Sequence, residues 1–408
     1  MKSQSKDLYW VLSLYGTAIG AGVLFLPIAI GILGLIPAFI ILILIFPMIF
    51  FPHRSLCRFV MSGKEKGSDI TVVANSYFGE KKGFVFNLLY LFCILPILFI
   101  YSVGIVNTLL DFLKYQLHYD MSDYRLWVCL GIISVLIASV SMGRNFIVKL
   151  MSIIVIPFVL VLFVISIWMI QFWDMSIISN SLHHNMSVKG VLLAIFLAFP
   201  IVVFSFNHSP IISSLAVYAK NKYGDDADTK ASKIIAMSNI LMIFTVVIFV
   251  LSTMCTLSPA ELQEAKQQNI SILSYLANNT DNAFLMYATP IVALVAMAKS
   301  FFGHYLGAKE GIVGLLSRAK PNANSQVLSK ITLILVFLSC FAIAYLNPNI
   351  LDMISNIIGP FLIVLLFFIP IYSIYKFKEL SQYKNKFIDT FIILLGVFTI
   401  VIVSYQLI

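Results

Sequence analysis

Charge is scarce in this chain. Only 11% of its residues are Asp, Glu, Lys or Arg, and 60% are hydrophobic. A soluble chain of this length carries about a quarter charged residues, so a water-exposed globular protein is excluded. Cysteine is sparse and scattered. Cys57, Cys93, Cys129, Cys255 and Cys340 fall mostly in apolar segments with no CxxC pair, and they read as packing residues rather than a disulfide or metal framework. There is no HExxH, no P-loop and no GxSxG with partner residues, so an enzyme is not expected. His183-His184 is a loop pair without further ligands nearby; no metal and no cofactor is expected. No composition shift or flexible linker divides the chain, which reads as one domain over 1–408.

What fills the sequence instead is apolar runs of roughly 18 residues or more, each long enough to cross a bilayer as a helix. Eleven are readable, at about 8–30, 34–60, 84–112, 124–141, 147–172, 188–217, 232–256, 284–314, 329–346, 350–375 and 387–407. The first is too long for a cleaved signal peptide and lacks a small-residue cleavage pattern. The stretches 173–187, 218–231 and 257–283 read as loops. The expected class is an all-α integral membrane protein in a lipid bilayer.

Basic residues set the orientation. With the N-terminus in the cytoplasm and alternating spans, 22 of the 27 Lys and Arg residues fall inside, four fall outside, and Lys299 lies within a span. That bias predicts N-terminus in and C-terminus out. It also accounts for the net charge of +9, so no nucleic-acid partner is needed to explain it. Oligomeric state is not readable.

Two spans carry residues unsuited to a plain helix. One contains Gly16-Thr17-Ala18-Ile19-Gly20-Ala21-Gly22. Counting about 1.5 Å per residue from Leu8 puts Gly20 roughly 18 Å deep, near the bilayer centre. Glycine leaves helical dihedrals at small steric cost. A half-helix restarting near Val23 would aim its positive end at the gap, where a carboxylate is favoured, and freed carbonyls would suit an ammonium. Close helix packing through Gly16 and Gly20 is the competing reading.

The other span contains Phe204-Ser205-Phe206-Asn207-His208-Ser209-Pro210, followed by Ser213-Ser214. So many polar groups within a membrane are costly unless they face a cavity or each other. Pro210 also removes a helical hydrogen bond. Asn207 and the serines can bond a hydroxylated solute or cap the freed backbone. A proline kink patched by local serines is the alternative, and His208 reads as either a helix–helix hydrogen bonder or a proton carrier. Interrupted spans at matching places in two halves point to a solute site at mid-membrane. Spans one and six are five apart, which fits two inverted five-helix repeats, about 8–172 and 188–375, with an added helix at about 387–407.

Lys299 is the third feature. It lies about 21 Å into its span, where a lysine costs about 2.5–3.5 kcal/mol to insert, and burial makes its protonation responsive to its surroundings. It is either a coupling group that changes protonation during transport or a fixed cation tying helices together. An ammonium there disfavours a sodium ion beside it. Ser300 and His304 share one helix face at i, i+4, next to Lys299. Tyr101 is placed to close over a bound solute or to pack helices. The segment Asn269-Ile270-Ser271-Ile272-Leu273-Ser274-Tyr275-Leu276, preceded by the helix-start signal Ser258-Pro259-Ala260-Glu261, reads as a lid on the outer face.

Gly16–Pro27, the FNHSP string at Phe206–Pro210, Asn269–Leu276 and the KSFFGHYLG string at Lys299–Gly307 together resemble the bacterial hydroxy and aromatic amino acid permeases, and most closely their serine/threonine branch. The likeness covers nearly the whole chain. FNHSP and KSFFGHYLG are specific, whereas the GAG string is shared widely among amino acid transporters. One departure is a lead of only about seven residues before the first span, shorter than that branch has.

The resemblance implies the five-plus-five inverted-repeat fold of the amino acid–polyamine–cation superfamily, with broken helices 1 and 6 and an eleventh helix, in a bacterial inner membrane. It implies proton-driven uptake of L-serine, with L-threonine as a related substrate. The implied substrate residues are Thr17, Gly20, Ala21, Gly22, Ser205, Phe206, Asn207 and Ser209, with Tyr101; the proton-coupling set is Lys299, Ser300, His304 and His208. The rival readings are an aromatic amino acid permease, a sodium-coupled symporter, a channel and a nutrient sensor. A channel needs a continuous polar stripe, and the polar residues here gather at one depth. Sensors carry large soluble extensions, and none is evident.

Overall fold

The structure, a computed structural model, describes residues 2–64, 67–177, 187–320 and 322–406; His183-His184 lies outside them. Among the described residues it is helical throughout, with no strand. Ten helices are long and apolar enough to cross a membrane, and a bent pair makes eleven spans, as the apolar runs predict. This is a multi-pass membrane protein.

The bent pair is α1 (Lys2–Ala18) and α2 (Ala21–Gly31), which meet at 56°. The following spans are α3 (Leu35–Met61), α4 (Ile70–Tyr115), α5 (Arg125–Ser141) and α6 (Arg144–Trp168). The sixth span is broken into α7 (Val188–Ser205) and α8 (Ser209–Tyr223), and α9 (Ala227–Thr256) follows. Two short helices, α10 (Pro259–Gln268) and α11 (Ile272–Asn278), precede α12 (Ala283–Ala319) and α13 (Ser325–Leu346). The last spans are α14 (Ile350–Lys376) and α15 (Lys386–Gln406).

Helix ends follow local chemistry. Asp69 caps α4, its carboxylate accepting from the N–H of Thr71 and Val72 at 2.9 and 3.0 Å. Ser258 and Glu261 form a reciprocal capping box on α10, which satisfies two otherwise orphaned donors. Within α14, wider π-turns at Ile354–Ile358 and Val364–Phe368 precede Pro360 and Pro370, where the proline interrupts the normal ladder.

Several expected boundaries shift. The third span was expected at 84–112, but α4 begins at Ile70 and turns sharply at Gly79, with φ 75°, so residues 70–78 form a separate helical arm. The expected loop 218–231 shrinks to Gly224–Asp226, because α8 and α9 extend well beyond their apolar cores. The expected loop 257–283 folds as α10 and α11. The face carrying Lys220, Arg318 and the other basic loop residues is here called the basic face. There Arg58 clamps Asp228 through two hydrogen bonds of 2.8 and 2.9 Å, tying α3 to α9.

Candidate functional site

The first break forms where the glycine cluster predicts. Gly20 has φ −156° and ψ −140°, outside the helical region, and no side chain caps the first turn of α2. The carbonyl end of α1 is not left bare. Ser300 Oγ, from α12, donates to Ile19 O at 2.8 Å and lies 3.5 Å from Gly16 O. Glycine is required here by close approach. A Cβ on Gly20 would strike Ser300 Oγ and lie 2.9 Å from Tyr101 Cε1.

The second break spans Phe206–His208. Phe206 and His208 have ψ of 12° and 18°, so the chain leaves α7 and restarts α8 with Pro210 in its first turn, where a missing N–H costs nothing. Asn207 Oδ1 accepts from Ser209 N–H at 3.1 Å. The two breaks touch: a Cβ on Gly22 would lie 2.6 Å from Ser205 Cα.

The structure brings the residues named from the sequence together and sorts them. Thr17, Ser205, Asn207, His208, Lys299 and Ser300 are fully buried, and Tyr101, Ser209 and His304 nearly so. The hydroxyls of Thr17 and Ser205 are tied back to Ser13 O and Ile201 O of their own helices at 2.9 and 2.7 Å. By contrast Asn207 Nδ2, His208 Nε2, Ser209 Oγ and Lys299 Nζ are buried without a hydrogen-bond partner. Tyr101 packs against His304 at 5.2 Å and Phe204 at 6.5 Å between ring centroids.

Lys299 turns away from Ser300 and His304. Its Nζ lies 4.4 Å from the Phe158 ring centroid and 5.9 Å from that of Tyr15, between α6 and α1. It joins none of the ion pairs among the described residues. His304 Nδ1 instead reaches Ser300 O at 2.9 Å. The sequence reading missed His53. Its ring stacks on His208 at 3.7 Å with 14° between planes, and its Nε2 accepts from His208 N–H at 3.3 Å. A histidine inside an apolar helix was the available signal.

A cavity of about 560 Å³ opens toward the basic face, lined by residues including Asp69, Asn75, Ser214, Tyr305, Lys309 and Arg318. The break residues do not line it. On the opposite face the segment 269–276 is packed inward against the helices. Ile272, Leu273 and Ser274 are fully buried, and Thr289 Oγ1 donates to Leu273 O at 2.9 Å. Tyr275 donates to Glu264 Oε2 at 2.8 Å; burial, and then that carboxylate, push its phenol pKa up. Asn107 Nδ2 reaches Asn269 O and Asn347 Oδ1 at 3.0 and 2.9 Å, and Arg125 Nη1 donates to Asn107 Oδ1 at 2.9 Å. This network joins α4, α5 and the ends of α10 and α13. Among the described residues, no group of three His, Cys, Asp or Glu side chains is placed to hold a metal ion.

Two spans broken side by side in an eleven-span helical body define a membrane protein of the broken-helix transporter architecture. A solved structure, MhsT in complex with L-phenylalanine, shares that fold: TM-score 0.63 and 14% identity, covering 98% of this chain and 97% of that one. The chain belongs to the tryptophan/tyrosine permease family, whose profile it matches over residues 5–407. It is similar to the serine transporter SdaC of Escherichia coli (strain K12), at 43% identity over 98% of this chain and 95% of that protein. It is also similar to the threonine/serine transporter TdcC of Edwardsiella tarda, at 40% identity with the same shares.

Proposed function

We propose that the protein is a secondary active transporter that imports L-serine, and L-threonine as a related substrate, together with protons. The solute binds between the two breaks, its carboxylate at the uncapped start of α2. The names of the relatives support the substrate, and the packing supports a small one: Tyr101, Phe204 and Phe206 are buried against the breaks. The aromatic reading keeps support from the family's description, and competition by L-tryptophan would reveal it.

Lys299 carries the coupling. Its ammonium is fully buried, without an anion or a hydrogen-bond partner. A charge so placed is costly, and releasing a proton relieves that cost. Each protonation state would favour a different packing of α1 against α6, so the proton biases which side is open. One helix bundle rocks against the rest to open the site to the other side, and the cavity on the basic face is the release route. The membrane is the bacterial inner membrane, with the N-terminus cytoplasmic and the C-terminus periplasmic.

The test is Lys299→Ala in proteoliposomes. Accumulation against a gradient should vanish, while substrate counterflow, which needs binding and alternation but no driving ion, persists. Accumulation surviving in that variant would remove the coupling role.

A further inference from the structure

The second break carries a hydrogen-bonding pattern that the family comparisons do not assign. Asn207 Oδ1 accepts from Ser209 N–H at 3.1 Å, so its amide orientation is fixed and the unpartnered Nδ2 is a donor. His208 Nδ1 lies 2.9 Å from Phe206 O. A carbonyl can only accept, so Nδ1 carries the hydrogen. In the neutral ring Nε2 is then a bare acceptor, fully buried and without a partner.

His53 holds this arrangement from α3. Its Nδ1 lies 2.9 Å from Ile49 O, which makes Nδ1 the donor and leaves Nε2 to accept the His208 backbone N–H at 3.3 Å. The same ring stacks on His208 at 3.7 Å and so fixes its plane.

We propose that His208 Nε2 and Asn207 Nδ2 form a subsite for the side-chain hydroxyl of the transported amino acid, and that His53 is its positioning residue. A hydroxyl both donates and accepts, which matches a bare acceptor and a free donor carried by consecutive residues. An ammonium only donates, so it leaves Asn207 Nδ2 unsatisfied. A methyl satisfies neither, and a site built around a polar group rejects the analogue that lacks it. The inference rests on the reading of the two breaks as the solute site.

The test starts with the unaltered protein in proteoliposomes, measuring inhibition of labelled L-serine uptake by L-threonine, L-alanine and O-methyl-L-serine. Alanine keeps the amino acid and lacks the hydroxyl; O-methylserine keeps the oxygen and lacks the donor. L-threonine should compete within a few-fold of serine, and the other two should bind at least tenfold more weakly. Equal competition by alanine or O-methylserine overturns the subsite. Failure to take up serine under any driving ion would overturn the transport reading itself, a separate outcome.

His208→Phe and His53→Phe follow, each keeping a ring to stack. His208→Phe should raise the KM for serine, with the serine-to-alanine preference falling at least tenfold. His53→Phe should shift that preference in the same direction by less, and His53→Gln, which restores an acceptor, should recover part of it. Loss of serine and alanine uptake in equal proportion in both variants would make the pair merely structural and overturn the positioning role.

Discussion

Gly22 of α2 lies directly against Ser205 at the end of α7, so close that a Cβ on Gly22 would sit 2.6 Å from Ser205 Cα and 2.8 Å from Phe204 Cδ1. The two breaks therefore meet backbone to backbone. Gly22→Ala forces them apart. Overpacking of this kind costs about 1–3 kcal/mol, and serine uptake should fall to near background while much of the protein remains folded. Uptake together with thermal unfolding in detergent reads both effects.

Ser300 supplies the hydrogen bond that satisfies Ile19 O at the first break. Ser300→Ala leaves that buried carbonyl without its partner, at a cost of about 1–3 kcal/mol. The expected outcome is a lower Tm and a changed KM for serine. Ser300→Thr, which keeps a hydroxyl, should retain more of both than the alanine variant.

The breaks were legible because their chemistry is local. Three glycines within seven residues, and an Asn-His-Ser-Pro string inside an apolar run, have no comfortable place in a continuous helix. The role of His53 was not legible, because its partner is 155 residues away and a single histidine gives no direction. The side to which Lys299 turns was also hidden: adjacent residues on a helix diverge by about 100°, but only the packing of Phe158 and Tyr15 shows which neighbour each meets. The arm at 70–78 escaped because it is too polar to mark a span, and its boundary is a positive-φ glycine, Gly79. Segment 269–276 reads from the sequence as a lid on the outer face, and its burial depends on the pocket among α2, α4 and α12 that no local pattern reveals.

The network on the face opposite the basic one predicts a role for Arg125. Its Nη1 serves Asn107 Oδ1 at 2.9 Å while its Nε donates to Ala344 O at 3.1 Å. A lysine cannot reproduce that fork. Arg125→Lys should destabilise the protein by about 1–3 kcal/mol, seen as a lower Tm, and leave the serine-to-alanine preference unchanged because the breaks are untouched.

Asp69 caps α4 and also accepts from the Thr71 hydroxyl at 2.6 Å. Asp69→Ala should cost about 0.5–2 kcal/mol, and Asp69→Asn less, since the amide oxygen still caps. Thermal unfolding of the two variants side by side checks the order; equal losses would point to the charge rather than the cap.

Proton-coupled serine import is tested by uptake of radiolabelled L-serine into proteoliposomes under an imposed inward proton gradient, with sodium absent. Accumulation above equilibrium that collapses on adding a protonophore is the expected result. No accumulation under the proton gradient, with uptake appearing only when sodium is supplied, would contradict it.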